Sequence, residues 1–183
     1  MGWLVVCAAG CGSHTAVPGG AQAVSAVAER SLESVSVQAP TPGSTPTRTP
    51  LYTRLATAGA LGDTGQALTA TLGGDSYRGA TGVWVGCEGT AATAGYRLGG
   101  EFSRLTGVLG LQPHTPASLR VQFTILVDGM SKFTATLRRD DRPQILSVPL
   151  SGARSITITA LATAGECEPA PAPYVAIGAA SLA

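Results

Sequence analysis

The sequence is poor in charge and in aromatic rings. Charged residues make up 13% of its 183 residues, aromatic residues make up 5%, and the formal net charge is +1. Binding nucleic-acid phosphates needs a basic patch and collecting cations needs an acidic one, so this balance argues against both partners. With so few rings, a core must be built mainly from Val, Leu, Ile and Ala. Abundant Ala, Gly, Thr and Pro beside little Lys is typical of a high-GC genome.

No stretch approaches the ~20 consecutive apolar residues of a membrane-spanning helix. One short apolar run, Gly2–Gly10, stands directly before Cys11. Small residues before a cysteine resemble the cleavage box of a bacterial lipoprotein, so we predict that residues 1–11 are a partial signal and that Cys11 carries lipid. Ala8 stands where that box usually has Leu, and no Lys or Arg precedes the run. The alternative is a short hydrophobic N-terminus without export value.

Cysteine is scarce as well, with four residues in the chain. If cleavage before Cys11 removes Cys7, then Cys87 and Cys167 remain as one pair, as expected for a disulfide in an oxidising compartment. Two separate buried thiols are the alternative interpretation. Neither cysteine has another Cys or a His at ligand spacing, and both histidines stand alone, so no metal site is predicted.

Two segments precede the region with a strand pattern. The first contains apolar residues at the three- and four-residue spacing of a thin helical stripe. These residues are Val24, Val27, Ala28 and Leu32. In residues 39–50 four prolines then alternate with Thr and Ser, a composition that favours extended, solvated chain. Residues 12–50 are therefore predicted to be a short helical or disordered region that ends in a Pro/Thr-rich linker.

The rest of the chain alternates between apolar and polar residues. Between Ser118 and Leu137 this alternation forms two arms that meet at Asp128-Gly129. A period of two places every other side chain on one face of a strand, and Asp-Gly supplies the positive φ that a tight hairpin turn needs. Further predicted strands are Leu51–Leu55, Gln144–Leu150 and Ser155–Ala160. Roughly seven to nine such strands without a helical pattern between them predict an all-β sandwich or barrel.

Residues 51–183 resemble the NPCBM family of carbohydrate-binding modules. The resemblance rests on an ordered set of short matches. They are Leu51-Tyr52, Gly74–Gly79, Val83–Cys87, Tyr96–Phe102, Val127–Gly129, Val148–Ala153 and Tyr174–Ala180. The resemblance implies a galactose-binding-like β-sandwich of the jelly-roll type with a non-catalytic, sugar-binding role. The last strand departs from the family, because prolines and Tyr174–Ile177 stand where relatives often carry acidic residues and Trp.

A bound sugar needs an aromatic face for its C–H surface and fixed polar groups for its hydroxyls. The aromatic candidates are Trp84, Tyr77, Tyr96 and Tyr174, and the polar candidates are Asp75, Arg97, Glu101 and Glu168. Trp84 lies between Val83 and Val85, so it is an exposed platform if the valines face the core and a packing residue if it faces the core itself. Tyr77 and Tyr96 can equally be half-buried corner residues with bonded hydroxyls.

Patterns for other chemistry are weak. Nothing places two of Glu101, Glu166 and Glu168 across a cleft as glycoside hydrolysis requires, and no nucleophile elbow is present. We therefore predict no enzymatic activity and no cofactor. A structural calcium ion is common in this fold type, but the spacing of oxygen-bearing residues does not support one here. The cluster Arg138–Arg142 is interpreted as a solvated, self-neutralising loop.

Taken with the resemblance, these observations predict an extracytoplasmic module, either secreted or anchored as a lipoprotein of actinobacterial type. Its partner is expected to be a glycan or cell-wall polysaccharide, and its contact with the membrane to be made through lipid on Cys11 alone. The departure in the last strand supports an alternative, in which a structural or protein-interaction domain has kept the fold and lost sugar binding.

Overall fold

The computed structural model describes residues 47–59 and 64–183. The predicted signal at residues 1–11, its lipidation site Cys11, the helical stretch and most of the Pro/Thr-rich linker lie outside the described residues. In the part of the chain that is described, no helix has the length and apolar character needed to cross a bilayer.

Within these residues the chain forms eleven strands and one 3₁₀ turn at Leu51–Arg54. In chain order the strands are β1 Thr49–Pro50, β2 Leu55–Ala58, β3 Ala67–Leu72, β4 Asp75–Val83, β5 Ala92–Arg97, β6 Arg104–Leu111, β7 Arg120–Val127, β8 Met130–Leu137, β9 Gln144–Pro149, β10 Ser155–Ala164 and β11 Val175–Leu182. Sheet A has the order β3-β4-β11-β6-β9, with β1 also paired to β11, and sheet B has the order β2-β5-β10-β7-β8. Pairing is antiparallel throughout both sheets, which confirms the predicted all-β sandwich.

The core lies between the inner faces of the two sheets. Val121, Phe123 and Ile125 of β7 are fully buried, whereas Gln122 between them is exposed. Leu146 of β9 belongs to the same buried cluster from the side of sheet A. Each such aliphatic or aromatic side chain stabilises the fold by about 1.5–3 kcal/mol, so the alternating pattern determines which face of each strand is buried.

Strands β7 and β8 form the predicted hairpin. Asp128 and Gly129 have φ angles of 47° and 81°, the left-handed conformation that a two-residue turn requires. The Asp128 carboxylate accepts hydrogen bonds from the backbone N–H groups of Arg154 at 3.1 Å and Ser155 at 2.9 Å. Desolvation acts to raise the pKa of Asp128, but the bonds from Ser155 and Arg154 and the charge of Arg154 outweigh it and lower that pKa below its ordinary value.

The prediction of a strand at Leu51–Leu55 is wrong for most of its length. The hydroxyl of Thr53 donates to the carbonyl of Pro50 at 2.7 Å and so closes a local turn. Such a side-chain bond offers the backbone an alternative to a sheet ladder. The strand begins only at Leu55, while Leu51 is fully buried at the start of the turn.

Candidate functional site

A bulge in β4 turns the β3–β4 hairpin out of the plane of sheet A. Strand β4 pairs with β11 from Thr81 to Val83. Close to this point Gly79 has a φ of 68°, which residues with a Cβ rarely adopt, and the pairing between β3 and β4 shifts by one residue. Farther along β11, the position beside Ser181 and Leu182 is occupied by β1 instead of β4.

Two close contacts hold the displaced part of the hairpin against the outer face of sheet A. The ring of Tyr77 packs on the backbone of Gly178 in β11, where an added Cβ would lie 2.5 Å from the ring. Leu72 lies over Gly110 in β6, 3.3 Å from the position of an added Cβ. A small apolar cluster forms here in addition to the main core. It contains Ala70, Leu72, Ala80 and Ala176, with Leu68, Tyr77 and Val108 at its margin.

The hairpin and the loop between β8 and β9 enclose a groove, which we call the outer groove. Pro143 of the loop contacts the hairpin turn so closely that an added Cβ at Gly73 would lie 2.8 Å from it. The outer groove has a volume of about 620 Å³. Asp75 and Tyr77 line it from the hairpin, and residues 139–143 and Ile145 line it from the other side. It therefore combines one aromatic ring, aliphatic surface and charged groups of both signs.

Some of these charged groups already have partners. Arg139 donates to the Asp140 carboxylate at 3.1 Å, and the Asp141 carboxylate accepts a hydrogen bond from the backbone of Arg138 at 2.9 Å. Among the described residues, the side chains of Asp75 and Arg142 form neither an ion pair nor a hydrogen bond. They can therefore meet a ligand without first breaking a contact. Across residues 47–59 and 64–183, no three His, Cys, Asp or Glu side chains converge as a metal-binding group.

Arg97 and Glu101, both predicted sugar contacts, lie on a different surface beside the 3₁₀ turn. Glu101 forms an ion pair with Arg54 at 3.1 Å. The Arg54 guanidinium also lies over the ring of Phe102, 5.0 Å from its centre, in a cation–π contact. Arg97 lines a shallow depression together with Arg54. Neither predicted residue lines the outer groove.

Tyr96 is a core residue and is only 1% exposed. Its hydroxyl donates to the carbonyl of Gly65 at 3.3 Å, and burial raises the pKa of this hydroxyl. A sugar cannot reach a ring that is enclosed in this way, so the prediction of Tyr96 as a sugar contact is corrected. The signal was ambiguous because a tyrosine with a bonded hydroxyl fits a core as well as a binding site.

Trp84 is half-buried, and its neighbours Val83 and Val85 face the core. The valines therefore face the core, as in the first of the two arrangements that the sequence allowed, but Trp84 is half-buried where that arrangement has it exposed. The backbone N–H of Trp84 donates to Thr64 at 2.7 Å. Trp84 does not line the outer groove. Its role in sugar binding stays a prediction.

Tyr174 and Glu168 hold a loop together instead of facing a groove. Tyr174 is 3% exposed, and its hydroxyl donates to the carbonyl of Glu168. The backbone N–H of Glu168 donates back to the Tyr174 hydroxyl at 3.1 Å. The ring of His114 lies 5.6 Å from the Tyr174 ring and adds to this packing.

The predicted disulfide between Cys87 and Cys167 is present, with the two Cα atoms 6.1 Å apart. It joins the segment after β4, in sheet A, to the segment after β10, in sheet B. Beside it, the backbone N–H of Gly86 donates to Ala160 at 3.0 Å, and that of Ala162 donates to Gly86 at 2.8 Å. The two sheets are therefore linked covalently and by hydrogen bonds at this end of the sandwich.

The sequence pattern does not predict the side of the outer groove that the loop and β9 form. Arg138–Arg142 is predicted to be a solvated, self-neutralising loop, but the Arg139–Asp140 pair accounts for only part of that cluster's charge. Ile145 is 85% exposed. A large aliphatic residue directly before the inward Leu146 falls on the outward face of its strand, and that position was the available signal.

Residues 41–168 match the model of the NPCBM/NEW2 domain family. No curated protein is a significant match to the sequence. Among solved structures, the M60 catalytic domain with CBM51-1 and CBM51-2 of Clostridium perfringens ZmpB is 24% identical, with a TM-score of 0.49, over 65% of this chain and 12% of that chain.

Two further structures superpose better, although their sequence identity is lower. The CBM51-2 and INT domains of Clostridium perfringens ZmpB have a TM-score of 0.56 at 14% identity over 74% of this chain and 31% of theirs. The tandem CBM51 modules of Sp3GH98, a family 98 glycoside hydrolase of Streptococcus pneumoniae, have a TM-score of 0.55 at 13% identity over 82% of this chain and 52% of theirs. At these identities the likeness establishes the fold, the predicted galactose-binding-like sandwich. The chain spans less than two thirds of each of these proteins.

Proposed function

Because this chain belongs to the NPCBM/NEW2 domain family, it is a non-catalytic carbohydrate-binding module, and we propose that it holds its glycan in the outer groove of sheet A. The observation that carries this proposal is the lining of the groove. Tyr77, Asp75 and Arg142 meet there beside exposed aliphatic surface, and the carboxylate and guanidinium have no other partner among the described residues.

The chemistry of the outer groove matches what a sugar ring presents. The ring of Tyr77 and the side chain of Ile145 offer apolar surface to the C–H face of a pyranose. Asp75 accepts hydrogen bonds from sugar hydroxyls, and Arg142 donates to sugar oxygens. Small-molecule sites in proteins have volumes of about 300–1,000 Å³, and the groove of about 620 Å³ falls within this range.

The groove is supported from below, so a ligand meets prearranged side chains. Tyr77 rests on Gly178, and Leu72 rests on Gly110. Pro143 locks the loop against the hairpin turn. Because little side-chain freedom is left to lose at these positions, binding costs less entropy than it would on an unsupported surface.

We further propose that the module works outside the cytoplasm. The disulfide between Cys87 and Cys167 supports an oxidising compartment. In this proposal Cys11 carries a lipid and residues 39–48 are the stalk. The displayed module begins at Thr49, because Thr49 and Pro50, which the sequence predicts as linker, pair with β11 as β1. Its partner is then an exposed glycan, either cell-wall polysaccharide or a polymer from outside.

Binding of the full chain to a glycan array and to immobilised polysaccharides tests the proposed site. Tyr77→Ala should weaken binding about fivefold, since an aromatic contact is worth about 1 kcal/mol. Arg142→Gln should weaken it about tenfold, since a hydrogen bond to a charged group is worth about 1.5 kcal/mol. Lys132→Gln is the matched control, because Lys132 is an exposed residue of β8 in the other sheet.

Equal binding by wild type, Tyr77→Ala and Arg142→Gln would refute the outer groove as the site. A parallel Trp84→Ala variant then identifies whether the surface around Trp84 holds the sugar instead. If the wild type binds no glycan on any array, the alternative of a structural or protein-interaction domain is favoured.

A further inference from the structure

A second pocket lies where β4 leaves β11 and β1 replaces it. Along β11, pairing with β4 ends at Ile177 and pairing with β1 begins at Ser181, so Ala179 and Ala180 face a gap between the two strands. The pairing of β11 with β6 also skips from Gly178 to Ser181. This gap is the floor of a pocket of about 280 Å³, which we call the gap pocket.

Two arginines flank the gap pocket. Arg48 and Arg78 line it together with Tyr52, and among residues 47–59 and 64–183 no acidic side chain is part of the lining. In the described part of the chain, ion pairs are formed by Arg54 and Arg139, whereas Arg48 and Arg78 have none. Two like charges beside one small cavity repel each other unless an anion lies between them. The structure thus leaves a positive site in a chain whose formal net charge is only +1.

The remaining surface of the gap pocket is positioned by local packing and backbone conformation. Tyr52 packs against Gly79, with its hydroxyl 3.6 Å from the position of an added Cβ there. Gly79 is the bulge residue that follows Arg78, and Tyr52 and Arg78 line the same pocket. Ala179 has a φ of 49°, which is rare for a residue other than glycine and interrupts the regular ladder of β11. The residues of such an interruption are left out of the ladder pairing.

We propose that the gap pocket binds an oxyanion carried by the glycan, with the guanidinium groups of Arg48 and Arg78 as its donors. A guanidinium presents a planar fork of N–H donors that matches a carboxylate or a phosphate, and charge-assisted bonds of this kind are the strong ones. The Tyr52 hydroxyl supplies one further donor. The chemistry required is a uronate carboxylate or a phosphodiester, and either one makes the bound polymer acidic.

The two sites are close enough for one polymer to occupy both. Tyr77 of the outer groove rests on Gly178, the residue that immediately precedes Ala179 of the gap pocket. Tyr77 and Arg78 are also consecutive in β4. The glycan part of this inference rests on the proposed function, whereas oxyanion binding by the gap pocket stands on its own geometry.

Titration of the full chain with two small probes tests the anion site. Sodium glucuronate supplies the carboxylate and inorganic phosphate supplies the phosphate oxyanion, each followed by calorimetry and by the NMR shift of the Ala179 amide. Arg48→Gln with Arg78→Gln should weaken binding of the preferred probe at least about tenfold. Arg48→Lys with Arg78→Lys should recover part of that loss, because charge is kept while the planar fork is not. Lys132→Gln, at an exposed position of β8 in the other sheet, should leave the affinity unchanged.

Undiminished probe binding in the double Gln variant would overturn the proposal, and so would no binding of either probe by the wild type. The glycan experiment separates this failure from failure of the outer groove. If the chain binds neutral polysaccharide through Tyr77 but binds neither probe, the proposed function stands and the anion site is refuted. If it binds a probe through Arg48 and Arg78 but binds no polysaccharide, the anion site stands and the proposed function is refuted.

Discussion

Removal of the disulfide between Cys87 and Cys167 tests how the two sheets are held together. Replacing both residues by Ser removes the cross-link and leaves the hydrogen bonds of Gly86 in place. The cross-link spans a sequence separation of 80 residues. On the chain-entropy model, a loop of this size stabilises the folded state by about 4.5 kcal/mol at 25 °C, because it restricts the unfolded chain. The net stability of a domain is roughly 5–15 kcal/mol, so the cross-link accounts for a large part of it.

Urea unfolding followed by tryptophan fluorescence is the appropriate assay. The double Ser variant should lose about 3–5 kcal/mol and should melt on the order of 10–15 °C lower. Its dependence on urea should become steeper, because an unfolded chain without the cross-link exposes more surface. The matched control replaces Cys87 and Cys167 by Ala, which removes the same cross-link without introducing hydroxyl groups.

A loss below about 1 kcal/mol would refute this reasoning. It would mean that the reduced, unfolded chain is already restricted by other contacts, so that the cross-link removes little freedom. A much smaller loss in the double Ala variant would also refute it. That outcome would trace the effect to the introduced hydroxyl groups instead of loop closure.

Three further substitutions test the core, the hairpin turn and the support of the outer groove. Phe123→Ala should cost about 3–5 kcal/mol in urea unfolding, because the side chain is fully buried; a loss below 1 kcal/mol would contradict its place in the core. Above about pH 3.9, the pKa of Asp in the unfolded chain, the Asp128→Asn variant should be less stable than the wild type. The difference should vanish as the pH falls through the lowered pKa of Asp128 in the folded state. A pH-independent difference would contradict the hydrogen bonds assigned to the Asp128 carboxylate. Gly178→Ala places a Cβ 2.5 Å from the ring of Tyr77 and so displaces the ring, although residue 178 does not line the groove itself. Glycan affinity should therefore fall about fivefold. Unchanged affinity would show that Tyr77 does not contribute to glycan binding.

The parts of the fold that the sequence predicted are those controlled by neighbouring residues. Asp128-Gly129 fixes its turn through backbone conformation, and the strand predicted at Gln144–Leu150 is found at Gln144–Pro149. The strand predicted at Ser155–Ala160 extends to Ala164, because its alternation continues with small residues that give a weak signal. Local periodicity is sufficient where one face of a strand is buried and the other is solvated.

The outer groove could be predicted only in part, because distant segments create it. Asp75 and Tyr77 were found from their residue types, but the other side comes from Pro143 and Ile145, which follow nearly seventy residues later. Their meeting depends on the bulge at Gly79, which bends the hairpin across the sheet. A glycine in a strand pattern indicates that a bulge is present without giving the direction of the bend.

The pairing of β1 with β11 places Thr49 beside Leu182, so the chain enters and leaves the sandwich at neighbouring points. A domain with adjacent ends can be spliced into a surface loop of an unrelated protein without stretching its host. Evolution or an engineer could therefore transplant these strands as a cassette and keep the outer groove intact.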